Sequence, residues 1–198
     1  AGVKEAVSTM GTAVSIEQLT AASKSARRLG ASVVICLDND EAGHAAVLRL
    51  CTGSQPMLLD VSRNFNVEIY VATLPKGIKD PAEYIEVYQE EEEEEELDKR
   101  FRSDVIARSV EWTEWYTSKL IDKHNASSVS SEERNTFSEV FEEVADFLTV
   151  FETEEIRSKT AKMIAPKLAD LSNTSNIGNQ LETAEALRIR IKTDLLER

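Results

Sequence analysis

A run of β-branched and apolar residues that ends in two spaced acids and passes directly into a helix start leaves this chain few folds. The run is Val33-Val34-Ile35-Cys36-Leu37, and Asp38-Asn39-Asp40-Glu41-Ala42-Gly43 follows it. Residues two apart in an extended segment share a face, so Asp38 and Asp40 are expected to present both carboxylates at one spot. Open α/β sheets hold their ligands outside the carboxyl ends of the strands. At about 5 Å and an effective dielectric near 20, two such charges repel by roughly 3 kcal/mol. A hard divalent cation with oxygen ligands, Mg²⁺ foremost, relieves that repulsion. A second account needs no ligand: Asp40 or Asn39 caps the helix, and the acids favour its positive end. The pattern by itself leaves both open.

The neighbouring residues extend the strand–helix alternation. Ala6-Val7-Ser8-Thr9-Met10 is a short extended run stopped by Gly11. Ser15-Ile16-Glu17-Gln18 has the form of a capping box and opens a helix through about Arg28, which Gly30 ends. A helix from Glu41 to about Cys51 follows the acidic turn, then a variable segment, Thr52–Asn66, then a strand, Val67–Ala72. Such alternation predicts an α/β unit over residues 1–88, with a parallel sheet, flanking helices and right-handed crossovers.

Charge sets the next boundary. Residues 1–88 hold eight Lys/Arg against ten Asp/Glu, residues 89–100 two against eight, and residues 101–198 thirteen against eighteen. Nearly half of the net charge of −13 therefore lies in one short tract. That balance argues against a simple nucleic-acid-coating protein. The tract Glu90–Glu96 repels itself and reads as a solvated linker or an extended helix edge. Cys36 and Cys51 lack metal-site or disulfide-framework spacing, and Cys36 reads as a buried strand residue. No apolar run reaches the ~18 residues of a membrane span, and no targeting segment is evident.

Residues 101–198 carry a helical period throughout. Phe137, Val140, Phe141, Val144, Phe147, Leu148 and Phe151 make one apolar stripe, with a capping box at Ser130-Ser131-Glu132-Glu133 before it. Ile156, Met163, Ile164, Leu168 and Leu171 make a second, and Leu181, Ala184, Leu187, Ile191 and Leu195 a third. An all-α bundle is expected. Trp112, Trp115 and Tyr116 lie on its first helix, where core packing is the stronger expectation and base stacking the weaker. Asn173–Gln180 reads as a polar turn.

Four features in order over some eighty residues resemble the second half of a TOPRIM domain, and the match is to bacterial-type DNA primases. They are Ser8-Thr9-Met10-Gly11-Thr12-Ala13, the helix after it, Asp38-Asn39-Asp40-Glu41-Ala42-Gly43, and Leu74-Pro75-Lys76-Gly77-Ile78-Lys79-Asp80-Pro81. The downstream helices, opened by Glu111-Trp112-Thr113-Glu114-Trp115-Tyr116, look like the helical subdomain that closes the primase polymerase core. Residues 1–88 then correspond to a partial TOPRIM domain, 89–100 to an acidic linker and 101–198 to the helical subdomain.

The resemblance implies template-directed nucleotidyl transfer that makes RNA primers during DNA replication. It implies Asp38 and Asp40 as catalytic ligands of Mg²⁺ or Mn²⁺, and Asp80 as a further acid near the metal. Lys79 stands where it could approach a substrate phosphate, although a surface lysine without a partner is the stronger expectation. His44 follows the motif, with a second-layer role or an ordinary helix-surface place as its two readings; His124 fits a favourable helix-end contact. Implied partners are single-stranded DNA template and nucleoside triphosphates, with a replicative helicase as a further one and no membrane. The family's upstream glutamate in an E-G-x-x-D strand has no counterpart, its usual acid two residues beyond Asp80 is Ala82, and its basic amino-terminal subdomain and Cys/His zinc module are absent. A fragment of a primase, with a part upstream of Ala1, is therefore expected, and no primer synthesis from these residues alone. Two other classes stay open. One is a TOPRIM topoisomerase or nuclease, for which the helical part offers no evident tyrosine context. The other is a non-catalytic TOPRIM-derived interaction module. The Glu run and Ser-rich insertions point to an organelle version, such as a plastid one, with the cytoplasm as the alternative setting.

Overall fold

The computed structural model describes residues 4–9, 14–53, 55–89, 93–127, 133–171 and 177–197. Contacts divide the chain into two compact units, Ala1–Trp112 and Thr113–Arg198. Each is built from short-range signals first.

In the first unit, α1 (Ile16–Leu29) starts where the Ser15 hydroxyl accepts from the Gln18 amide at 3.3 Å. The Gln18 side chain accepts in return from the Ser15 amide at 2.9 Å, completing the expected capping box. Gln18 also donates to the Thr9 carbonyl at 2.8 Å, which ties the preceding segment to the helix. Gly30 ends α1 with a φ of 62°, a left-handed conformation that costs a residue without a Cβ little. Next come β1 (Val33–Ile35) and α2 (Glu41–Cys51). The extended run expected over 6–10 is irregular through Thr9, and Met10–Ala13 lie outside the described residues.

A helix the sequence reading missed follows: α3 (Met57–Phe65) lies in the segment taken as variable. Pro56 precedes its first turn, Leu58, Leu59 and Val61 are buried, and Asn66 closes it at a φ of 49°. Then β2 (Ile69–Val71) pairs with β1 in parallel, Val33 opposite Ile69 and Ile35 opposite Val71. After α4 (Pro81–Tyr88), α5 (Glu94–Phe101) and a π-helical turn over Arg102–Ile106, β3 (Val110–Glu111) joins β2 antiparallel. The three-stranded sheet, ordered β1-β2-β3, is therefore mixed where an all-parallel one was expected. An antiparallel edge strand needs no right-handed crossover, so a two-residue pairing is enough to add it.

One core side gathers Leu19, Ala46, Val47, Leu50, Cys51, Leu58, Val61, Ile69 and Val71 among the buried residues, with α1 and α2 packed on α3. A second cluster joins Ala72, Leu74, Ile78, Tyr84, Leu97, Phe101 and Val105. It shows how the acidic tract sits. Glu93–Glu96 are exposed, but Leu97 and Phe101, four residues apart, anchor α5 in this cluster. Glu94, Glu95 and Glu96 occupy the first turn, where the helix dipole favours negative charge. Glu90, Glu91 and Glu92 lie outside the described residues.

The second unit contains the rest of α6 (Trp112–Ser127), α7 (Glu133–Leu148), α8 (Glu154–Leu171) and α9 (Ile177–Glu197). Helices α7, α8 and α9 pack on one another. Their buried faces are Val140, Val144 and Leu148; Ile164 and Leu168; and Ala184, Leu187 and Ile191. Ile156 and Leu195, counted into those stripes from the sequence, are exposed because they fall near helix ends. The expected helical run from residue 101 is interrupted by the π-turn and β3 before α6 begins. Residues 130–132 of the expected capping box, residues 173–176 of the expected turn and the side chains of Phe137, Leu171 and Leu181 fall outside what is described, whereas residues 177–180, read from the sequence as the end of that turn, already form the first turn of α9. No helix among the described residues is long and apolar enough to cross a membrane.

Candidate functional site

The acidic turn after β1 is shaped by a single close approach. A Cβ built on Gly43 would stand 2.0 Å from the Asp38 carbonyl oxygen and 2.9 Å from its carbon. Only a residue without a side chain lets the first turn of α2 ride that near the Asp38 backbone. Asp40 is the N-cap of α2, and its Oδ1 accepts from the Gly43 amide at 2.8 Å. The capping reading of Asp40 is thus realised for one carboxylate oxygen. A carboxylate has about four acceptor sites, so one such bond leaves capacity for a cation. Asp38 is exposed, at the open side of the turn.

The second motif lies against the first. The Asn39 amide donates to the Lys79 carbonyl at 2.6 Å, and Asn39 Nδ2 donates to the Ile78 carbonyl at 3.3 Å. Residues 38–40 and 78–80, forty positions apart in sequence, are thereby one loop pair. Ile78 is buried in the cluster with Tyr84 and Phe101, so the pair rests on packed side chains. Asp80 repeats the arrangement of Asp40: it is the N-cap of α4, Oδ1 accepts from the Glu83 amide at 2.8 Å, and Pro81 fills the first helical position. Glu83 reaches back to accept from the Lys79 amide. The Lys79 side chain is exposed, and its backbone is bonded on both sides.

Other candidates sort by burial. Trp112 and Trp115 are buried, which fits core packing and leaves neither ring open to a base. Tyr116 meets Phe147 with ring centroids 4.6 Å apart. His44 is half-buried, its amide donating to the Asp40 carbonyl at 3.0 Å in ordinary helical fashion. The side chain of His124 lies outside the described residues. The Cys36 thiol is pushed up to about 11, first by burial and then by the Asp38 charge. Both causes disfavour its thiolate form. Behind the site, the Tyr84 hydroxyl donates to Asp104 Oδ2 at 3.0 Å.

The donors at this turn are carboxylate oxygens, which suit a hard cation rather than zinc or copper. Among the described residues no group of three or more His, Cys, Asp or Glu side chains comes together as a metal cage. Sequence reading offered Asn39 only as a helix cap in place of Asp40, a place that Asp40 takes, and missed its bonds to the second loop; Glu83 it missed altogether. The Asp-x-x-Glu spacing of a cap was there to find for Glu83, whereas nothing local marks those bonds of Asn39.

Comparisons with known proteins agree with this architecture. Residues 1–85 match the family described as Toprim-like. The chain is 34% identical over 110 residues to a protein named DNA primase from Halalkalibacterium halodurans, an alignment covering 56% of this chain and 15% of that relative. The chain thus spans a small part of the curated relative it matches. No solved structure matches it.

Proposed function

We propose that this chain, whose residues 1–85 match the Toprim-like family and which aligns in part with a protein named DNA primase, forms part of a primase polymerase core. In this reading it serves metal-dependent nucleotidyl transfer, making RNA primers on single-stranded DNA. The observation that carries it is the loop pair in which Asn39, between Asp38 and Asp40, is bonded to the Ile78 and Lys79 carbonyls, next to Asp80. Asp38 and Asp40 would hold Mg²⁺ or Mn²⁺ together with the triphosphate of the incoming nucleotide. When bound, the cation stabilises charge on the attacking and leaving oxygens and lowers the pKa of the attacking hydroxyl. The protein's own part is placement. β1 ends at the turn, the α2 cap orients Asp40, and Gly43 lets the helix approach the Asp38 backbone. Asp80 adds negative charge beside the pair, and exposed Lys79 is available to a phosphate oxygen.

The test is template-dependent RNA primer synthesis on single-stranded DNA by the complete gene product. Asp38→Asn and Asp40→Asn should each lower it at least a hundredfold without lowering stability, because Asn caps a helix about as well as Asp. Unchanged synthesis in both variants would refute the assignment. One observation favours a second reading, a non-catalytic interaction module: Asp40 and Asp80 each commit an oxygen to a helix cap. Absence of both divalent-cation binding and primer synthesis in the complete gene product would support that module.

A further inference from the structure

We propose that Asn39, the middle residue of the acidic triplet, is a positioning residue that locks the Asp80 turn to the aspartate pair. This rests on the metal-binding reading only for its consequence, not for its geometry. Its backbone and its side chain donate to two consecutive carbonyls, Lys79 at 2.6 Å and Ile78 at 3.3 Å, immediately before Asp80. The same short turn is held from two other directions. Ile78 is buried at 9% exposure among Leu74, Tyr84 and Phe101, and Asp80 is fixed to α4 through the Glu83 amide. Asn39 is the contact that makes the turn part of the site rather than only the start of α4. Without it, Asp38–Asp40 and Asp80 are anchored to different helices, α2 and α4.

The side-chain chemistry is selective. The Ile78 carbonyl is an acceptor, so the residue facing it must donate. A carboxylate at position 39 would set oxygen against oxygen and add a charge between Asp38 and Asp40. A simple count of ligands predicts the opposite for Asn39→Asp: one more oxygen donor and tighter cation binding. The two views therefore part on a near-isosteric change.

The experiment is amide hydrogen exchange on the metal-free 198-residue chain and its Asn39→Ala and Asn39→Asp variants. It reads protection at Glu83 relative to Ala72, whose amide is bonded to Ile35 in the sheet. The ratio removes any general loss of stability. It should fall about three- to tenfold in both variants, the range expected for one lost hydrogen bond; an unchanged ratio overturns the proposal. A Mn²⁺ titration then reads the consequence. Asp80→Asn should weaken Mn²⁺ binding in the Asn39 chain and much less on the Asn39→Ala background, and equal effects on both would also overturn it. If no variant binds Mn²⁺, the functional reading fails while the exchange ratio still decides the role of Asn39.

Discussion

Gly43 and Asp38 are so close that a Cβ on the glycine would lie 2.0 Å from the Asp38 carbonyl oxygen. The neighbour is backbone, so it cannot swing aside as a flexible side chain would. Gly43→Ala should push the first turn of α2 away from β1 and destabilise the chain by about 1–3 kcal/mol. Urea unfolding checks this. An Ala variant as stable as the wild type would mean the turn is far softer than its geometry indicates.

The two caps separate charge from structure. Asp40→Ala should cost about 0.5–2 kcal/mol, whereas Asp40→Asn should cost close to nothing. The same pair of substitutions at Asp80 should behave alike, since its Oδ1 makes the same 2.8 Å bond to the third helical amide. Chemical denaturation of the four variants tests the ranking.

Tyr84 gives the first unit an alkaline limit. Burial, then its hydrogen bond to Asp104, pushes the phenol up to about 12 from an ordinary 10. A raised pKa means that the folded state favours the protonated form. Its stabilisation is fully present below pH 10 and is lost as pH rises toward 12. Wild type should lose stability over that window more steeply than Tyr84→Phe, which should itself cost about 0.5–1.5 kcal/mol at neutral pH. Thermal melts between pH 8 and 12 would show parallel curves if Tyr84 played no part.

Within the second unit, Lys167 Nζ bridges Glu114 Oε1 and Ser118 Oγ, both at 2.8 Å, and so ties α8 to α6. The groups are partly exposed, so a Lys167→Ala and Glu114→Ala double-mutant cycle should give a coupling of only about 0.2–1 kcal/mol. Coupling well above that range would show a more buried bridge than the structure has.

What could be read in the sequence was local. The Ser15 and Gln18 box, the Gly30 stop, the start of α2 at Glu41 and the parallel pairing of the two apolar strands need only neighbouring residues and the strand–helix order. α3 escaped because its apolar residues are adjacent, as in Leu58-Leu59, and its signals, Pro56 and Asn66, read equally well as a loop. β3 escaped because two residues have no period, and its antiparallel pairing with β2 is set forty positions away. The acidic run hid an anchored helix, since Leu97 and Phe101 show their purpose only against Tyr84 and Ile78. At the site the same rule applies. Asp38, Asp40 and Asp80 stood out as residue types in motifs, but the bond from Asn39 to the Ile78 carbonyl depends on where two distant loops meet.

The most direct measurement is a Mn²⁺ titration of the 198-residue chain followed by electron paramagnetic resonance, with Asp38→Asn and Asp40→Asn alongside. Wild type should bind weakly, in the range of two carboxylates without a full protein cage, and each variant should bind at least tenfold more weakly while unfolding at the same urea concentration. Binding that is equal in all three proteins, or undetectable in the wild type at millimolar Mn²⁺, would contradict the assignment of this turn as a cation site.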